Sequence, residues 1–260
     1  MREEMLVLAK ATPIVSKKYE NLVCVAGITK DGEWRRIFPI PWDVFKGDSN
    51  VKFRKKQWIV YELTNDKSPD GRPESRKIKY GSIVPLYEES FKNIKKMLDS
   101  KLTTLEELQS KNRGDCSLGV VSPILDDMIW MNSISYSKTI QRAKGQMTLD
   151  GDSVLKLDIP DKKFQYIFRC SQFCPKEHKI MCEDWELGEL YRKMKNKYGS
   201  EEACFKVKDK FLNRITSSGH VYFIMGTHNL WNTWMIISVI YPKKDDLKSL
   251  SCNSLHDYFK

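Results

Sequence analysis

Between Cys170 and Cys182 the chain places four potential soft ligands within thirteen residues, Cys170, Cys174, His178 and Cys182, and then runs into Glu183-Asp184-Trp185-Glu186. Thiolates and imidazoles are the donors zinc prefers, and each of these residues follows the previous one by four, the wide end of the pair spacing that structural zinc sites use. On a continuous helix that spacing would align all four on one face. Pro175 and the alternating aromatic run Phe164-Gln-Tyr-Ile-Phe-Arg-Cys170 predict instead a strand that delivers Cys170 into a turn. A zinc ion held there would fasten the strand to the helix that follows. Cys170, Cys174 and His178 lead the ligand set and Cys182 is the fourth candidate, with Asp184 or His228 as substitutes. The competing reading is packing, because a free cysteine is often a small buried hydrophobe.

Asp184, Glu186 and His228 are the candidates for catalysis, as carboxylates and a base around a second metal in phosphodiester cleavage. Helix capping by Asp184 and a favourable helix dipole for Glu186 account for the two acids without any chemistry. In Pro69-Asp-Gly-Arg-Pro-Glu-Ser-Arg-Lys77, Asp70, Glu74 and Lys77 have the residue types of a nuclease centre but not its spacing. A turn is the better account of that stretch, with Arg72, Arg76 and Lys77 available to phosphate. There is no phosphate-binding P-loop, no Gly-x-Gly-x-x-Gly, no Gly-x-Ser-x-Gly and no His-Glu-x-x-His. ATP hydrolysis, dinucleotide chemistry and standard serine hydrolysis are therefore disfavoured.

A formal charge of +10 points to a polyanionic partner, since clustered cations release counterions from phosphates. Residues 1–81 hold 17 Lys and Arg against 11 Asp and Glu, so more than half of the excess lies in the first third. There the cations alternate with aromatic residues, at Trp34-Arg35-Arg36-Ile-Phe38 and at Val51-Lys-Phe-Arg54-Lys55-Lys56-Gln-Trp58. Small β-barrels use that combination to stack bases and track a backbone. An ordinary amphipathic strand, with aromatics inward and cations outward, gives the same pattern.

These residues need elements to position them. Met5–Lys10, Leu22–Thr29 and Trp34–Phe38 read as strands, with Lys30-Asp-Gly-Glu33 as a hairpin turn, and Gln57–Thr64 as another strand. Glu88–Asp99 has helical spacing, and Thr104-Leu-Glu-Glu107 has the form of a capping box. Ser117–Pro123 predicts a strand, Ser133–Asp152 a loop or flap, and Asp184 the cap of a helix with Leu187, Leu190, Tyr191 and Met194 on one stripe. A second helix is predicted over Glu201–Ile215, followed by strands at Val221–Met225 and Trp234–Tyr241. The expected fold is α+β: a β-rich, barrel-like basic module over 1–85, a helical connector over 86–115, and an α+β module over 116–260 with the zinc-stapled strand-helix unit.

No apolar stretch is long enough to cross a bilayer, the amino terminus lacks a signal-peptide core, and an odd count of seven cysteines suits a reducing compartment. The expectation is a cytoplasmic protein without a membrane partner. The series Tyr19–Ile28, Trp34–Pro39, Asp70-Gly-Arg-Pro-Glu-Ser75, Ser117-Leu-Gly119 and the Cys/His cluster ending in Asp184-Trp-Glu186 resembles a family of uncharacterised prokaryotic proteins over most of the chain. The resemblance implies a microbial, cytoplasmic origin, with defence or DNA processing as the setting, and it transfers no activity. The leading functional expectation is nucleic-acid binding, DNA or RNA, with a structural zinc. Its contacts would be Arg35, Arg36, Arg54, Lys55, Lys56, Arg72, Arg76 and Lys77. A metal-dependent nuclease and a protein-interaction subunit are the alternatives.

Overall fold

The computed structural model describes residues 1–12, 22–41, 52–111, 114–133, 160–228 and 233–256. The predicted flap at Ser133–Asp152 lies, apart from Ser133, outside the described residues, as do Tyr19 and its neighbours.

Two six-stranded mixed sheets form the frame. The first contains β1 (Arg2–Lys10), β2 (Leu22–Thr29), β3 (Trp34–Pro41), β4 (Gln57–Glu62), β5 (Ser75–Arg76) and β6 (Val84–Glu88), in the spatial order β5-β3-β2-β1-β4-β6. Among the described residues this sheet is open, with β5 and β6 at its edges, which corrects the barrel-like expectation. The β2–β3 hairpin forms at Lys30–Glu33, where Gly32 takes a φ of 82° and closes the turn without a Cβ clash. At Gly27 a side chain is impossible for another reason: a Cβ would lie 1.9 Å from the Leu6 carbonyl oxygen on β1.

The middle of the chain forms α1 (Phe91–Asp99) and α2 (Leu105–Ser110). Thr104 and Glu107 make the reciprocal capping box that the sequence predicts. The second sheet follows with β7 (Leu118–Val121), β8 (Ile124–Asn132), β9 (Lys162–Arg169), β10 (His178–Cys182), β11 (Tyr222–Thr227) and β12 (Trp234–Ile240), ordered β7-β11-β12-β10-β9-β8. Between β10 and β11 run α3 (Trp185–Tyr198) and α4 (Ser200–Lys208), the latter continuing as a π-helical stretch over Asp209–Arg214, and α5 (Lys244–His256) follows β12.

Alternation along the central strands builds three cores. On β1, Leu6 and Leu8 face the second sheet while Met5 and Val7 face the other way. On β11, Tyr222 and Ile224 face the first sheet while Phe223 and Met225 face α3 and α4. Both sides of these strands are covered, so they read in the sequence as unbroken apolar runs. The layer between the sheets joins Leu6, Ile28 and Trp58 to Ile224, Ile237 and Ile240, with α1 contributing Phe91, Ile94 and Leu98. No helix among the described residues is long and apolar enough to cross a membrane.

Candidate metal centre and the buried cations

Strand β9 ends at Arg169, so Cys170 leaves the sheet where the chain turns, and β10 begins at His178 after an eight-residue excursion from Cys170. The turn brings Cys174 back so that its Sγ lies 3.2 Å from His178 Nε2. Glu106, in the first turn of α2, completes a group whose four ligand atoms all lie within 4.8 Å of one another. Its Oε1 is 3.0 Å from His178 Nε2 and 3.4 Å from Cys174 Sγ. A tetrahedral zinc with bonds of about 2.0–2.3 Å holds its ligands roughly 3.3–3.8 Å apart. One carboxylate, two thiols and one imidazole at these separations suit a single ion, and the donor set is one that zinc accepts.

Cys170 Sγ also accepts the Leu105 backbone N–H at 3.2 Å, which fixes the sulfur against the start of α2. Burial pushes the Cys170 thiol up to about 11, with Glu106 and Cys174 adding to the rise against the Leu105 N–H. Without a cation the thiol holds its proton, and a bound metal ion would reverse that balance. The group also ties α2 to the β9–β10 turn, a link of 64 residues between Glu106 and Cys170.

Cys182 lies elsewhere. It sits at the far end of β10, roughly 13 Å along an extended strand from His178, and is buried in the core beneath α3. Glu106 takes the place in the group that sequence spacing gives to Cys182. Nothing in the spacing marks Glu106, which reads as an ordinary acid in the first turn of a helix.

Asp184 is wholly buried and caps α3, accepting from the Glu186 and Leu187 amides. It also accepts from Lys55 Nζ at 2.8 Å, Ser238 Oγ at 3.1 Å and the Val239 amide at 2.7 Å. Five donors occupy its two oxygens, so it acts as a latch between the turn before β4 and the second sheet. Glu186, half-exposed, lies 2.9 Å from the same ammonium. Burial works against the charged form of Lys55, but the two carboxylates outweigh it and hold its pKa above the usual lysine value.

Four of the eight basic residues expected to meet nucleic acid, Arg35, Arg36, Lys55 and Arg72, are buried, which reverses the cations-outward arrangement at those positions. The strand β3 lies between β2 and β5, so both of its edges are paired, and Arg36 on it reaches Ser117 at the start of the second sheet. Arg35 is buried against Glu3, with which Tyr61 also bonds. Arg36, 1% exposed, donates to the Ser117 carbonyl at 2.7 Å and to Cys24 Sγ at 3.1 Å. Arg72, equally buried, binds Asp70 and donates to the Thr227 carbonyl at 3.1 Å. Arg76 reaches Asp66, Lys56 reaches the Tyr241 carbonyl, and Arg54 and Lys77 are exposed.

These contacts join three of the distinctive sequence motifs. The Glu74 carboxylate accepts from the Ser117 amide at 2.8 Å and from its hydroxyl at 2.5 Å, while the Glu74 carbonyl accepts from the Arg36 amide. Trp34–Pro39, Asp70–Ser75 and Ser117–Gly119 are thus one hydrogen-bonded junction between the two sheets. Gly119 belongs to it sterically, because a Cβ there would come within 2.6 Å of Leu108 on α2. His228 and the two arginines line one cavity between the sheets.

No curated protein matches the chain. Among solved structures it is similar to the tetrameric p202 HIN2, with 10% identity and a TM-score of 0.31 over 94% of this chain and 92% of that one. The family described as Domain of unknown function (DUF8758) matches residues 1–105, and Domain of unknown function (DUF8757) matches residues 100–258. The two matches meet between α1 and α2, and because the second spans more than half of the sequence, the chain belongs to the family Domain of unknown function (DUF8757).

Proposed function

We propose that this protein binds nucleic acid and that the group of Glu106, Cys170, Cys174 and His178 holds a structural zinc. The observation that carries the binding proposal is the face formed by the end of α3 and by α4. There Tyr198 is 44% exposed with Lys197 Nζ 5.1 Å and Lys206 Nζ 4.6 Å from its ring centre, and Phe205 on α4 is 56% exposed. Exposed rings flanked by ammonium groups are what a single-stranded nucleic acid uses, bases stacking while phosphates meet the cations. Lys193, Lys197 and Lys210 on these helices are exposed, as are Arg54 and Lys77 in the first module. Zinc would act by position alone, since all four ligands come from the protein and it ties the α2 turn to the β9–β10 turn.

The nuclease alternative draws no support from Asp184, whose oxygens already accept from five donors. The test is the salt dependence of binding to labelled single- and double-stranded DNA and RNA by zinc-replete protein. The expected result is a steep fall of log affinity with log salt, with a shallower slope and weaker binding in Lys193→Glu/Lys197→Glu. Cys174→Ser should lower the zinc content of the purified protein. Absence of binding at low salt would overturn the nucleic-acid reading, and protein lacking zinc after purification in zinc-containing buffer would overturn the structural one.

A further inference from the structure

A cavity of about 470 Å³ lies where the two sheets meet, a size in the range of small-molecule sites. Its wall is cationic: Arg36, Arg72, Lys163 and Lys179 line it beside the His228 imidazole, against one carboxylate, Glu183, which already binds Lys163. Trp234 and Phe38 supply aromatic surface. Arg36 has no carboxylate within ion-pair distance among the described residues, although it is fully buried. A buried guanidinium in that state is costly unless an anion reaches it.

Unsatisfied polar atoms concentrate here. Six buried side-chain atoms among the described residues have no hydrogen-bond partner, and three of them, Arg36 Nε, Gln165 Oε1 and Thr227 Oγ1, belong to residues lining this cavity. Arg36 and Thr227 are 1% and 2% exposed. Natural proteins rarely leave such groups unpaired, so a cluster of them around one space points to a missing partner. Two are hydrogen-bond donors suited to an oxyanion, and the third is an amide suited to a heterocycle edge. Burial, and then the neighbouring Arg72, lower the pKa of Arg36 against the pull of Cys24 and Glu74, and an anion in the cavity would act in the opposite direction.

We propose that this cavity binds a nucleotide phosphate, with Arg36 and Thr227 on the phosphate, Lys179 at the rim and the base beside Trp234 and Gln165. The site is separate from the α3–α4 face, and a mononucleotide titration reads it alone. The phosphate belongs either to a free mononucleotide or to the phosphorylated end of a strand.

The experiment is calorimetric titration and thermal shift of the full chain with nucleoside 5′-monophosphates, the parent nucleosides, inorganic phosphate, and a short oligonucleotide with and without its 5′-phosphate. Saturable binding of a monophosphate, with the nucleoside silent and phosphate weaker, is the expected result for a free ligand. Binding only of the 5′-phosphorylated oligonucleotide identifies the strand end. Because Arg36 also joins the two sheets, the variants are Thr227→Val and Lys179→Glu. The first removes a hydroxyl that bonds nothing, so the unliganded Tm should hold or rise while affinity falls about tenfold. The second reverses an exposed charge and should weaken binding by at least about tenfold. Failure of every monophosphate and of the phosphorylated strand to bind, or equal affinity in both variants and the parent, would overturn the proposal. Phosphate binding as tightly as the nucleotide would overturn its nucleoside half.

Discussion

Lys55 and Arg36 are both buried cations drawn from basic, aromatic-rich stretches of the first module, yet the protein surrounds them differently. Lys55 meets two carboxylates, the Ser238 hydroxyl and the Val239 carbonyl, 129 to 184 residues away in sequence. Arg36 meets a carbonyl, a hydroxyl and a thiol, with its Nε–H unpartnered, and the residue lines a cavity. A buried charge with a full complement of partners is structural cement. One without a counter-charge, beside a space large enough for a ligand, is a receptor, and the contrast separates the roles of two residues that look alike in the sequence.

The contrast can be broken from the Lys55 side first. Asp184→Ala leaves a buried ammonium facing the residual Glu186 and removes the α3 cap, so urea denaturation should show a loss of roughly 3–5 kcal/mol. A variant that folds with near-parental stability would show that Lys55 is not held as tightly as its geometry implies. Arg36→Met should cost less, about 1–3 kcal/mol, because the loss is the donor to the Ser117 carbonyl while an uncompensated charge is also removed. Equal losses in the two variants would erase the distinction.

The smallest effect concerns Lys10, near Lys55, whose ammonium donates to the Phe53 carbonyl at 2.8 Å. Burial lowers its pKa to about 8, with Lys55 and Lys52 adding to the fall and Glu186 opposing it. Below pH 8 the residue is charged in both folded and unfolded chains and the burial penalty is fully present. Between pH 8 and the ordinary value near 10.5 the unfolded chain keeps the proton that the folded chain gives up, so this contribution makes stability rise with pH. The Tm difference between the parent and Lys10→Met should therefore shift in the parent's favour from pH 7.5 to 9.5. A difference independent of pH would place the Lys10 titration outside that window.

Local order was the part most open to reading. The Thr104 capping box, the Asp184 cap, the Lys30–Glu33 hairpin and the strand that delivers Cys170 depend on contacts within a few residues, and each appears in the structure. The resemblance to an uncharacterised family also agrees with the two domain families of unknown function that match the chain. Barrel-like closure is not legible because alternation marks which face of a strand is apolar, not whether the edge strands find each other, and the sheet is open. The inward arginines are hidden for a related reason: a cation next to an aromatic on β3 looks the same whether the outer face meets water or a second sheet.

Residue type and short spacing account for the central strands β1–β4, β7, β9, β11 and β12, for α1 to α4, for the excess of positive charge and for a local turn carrying two thiols and an imidazole, but not for β8, β10 or α5. Tertiary structure alone decided that Glu106 rather than Cys182 joins that turn, that Asp184 belongs to Lys55, and that Arg36, Thr227 and Gln165 share one cavity. Those choices rest on pairing across roughly 60 to 190 residues, where burial fixes which charge meets which partner and no periodicity records the result.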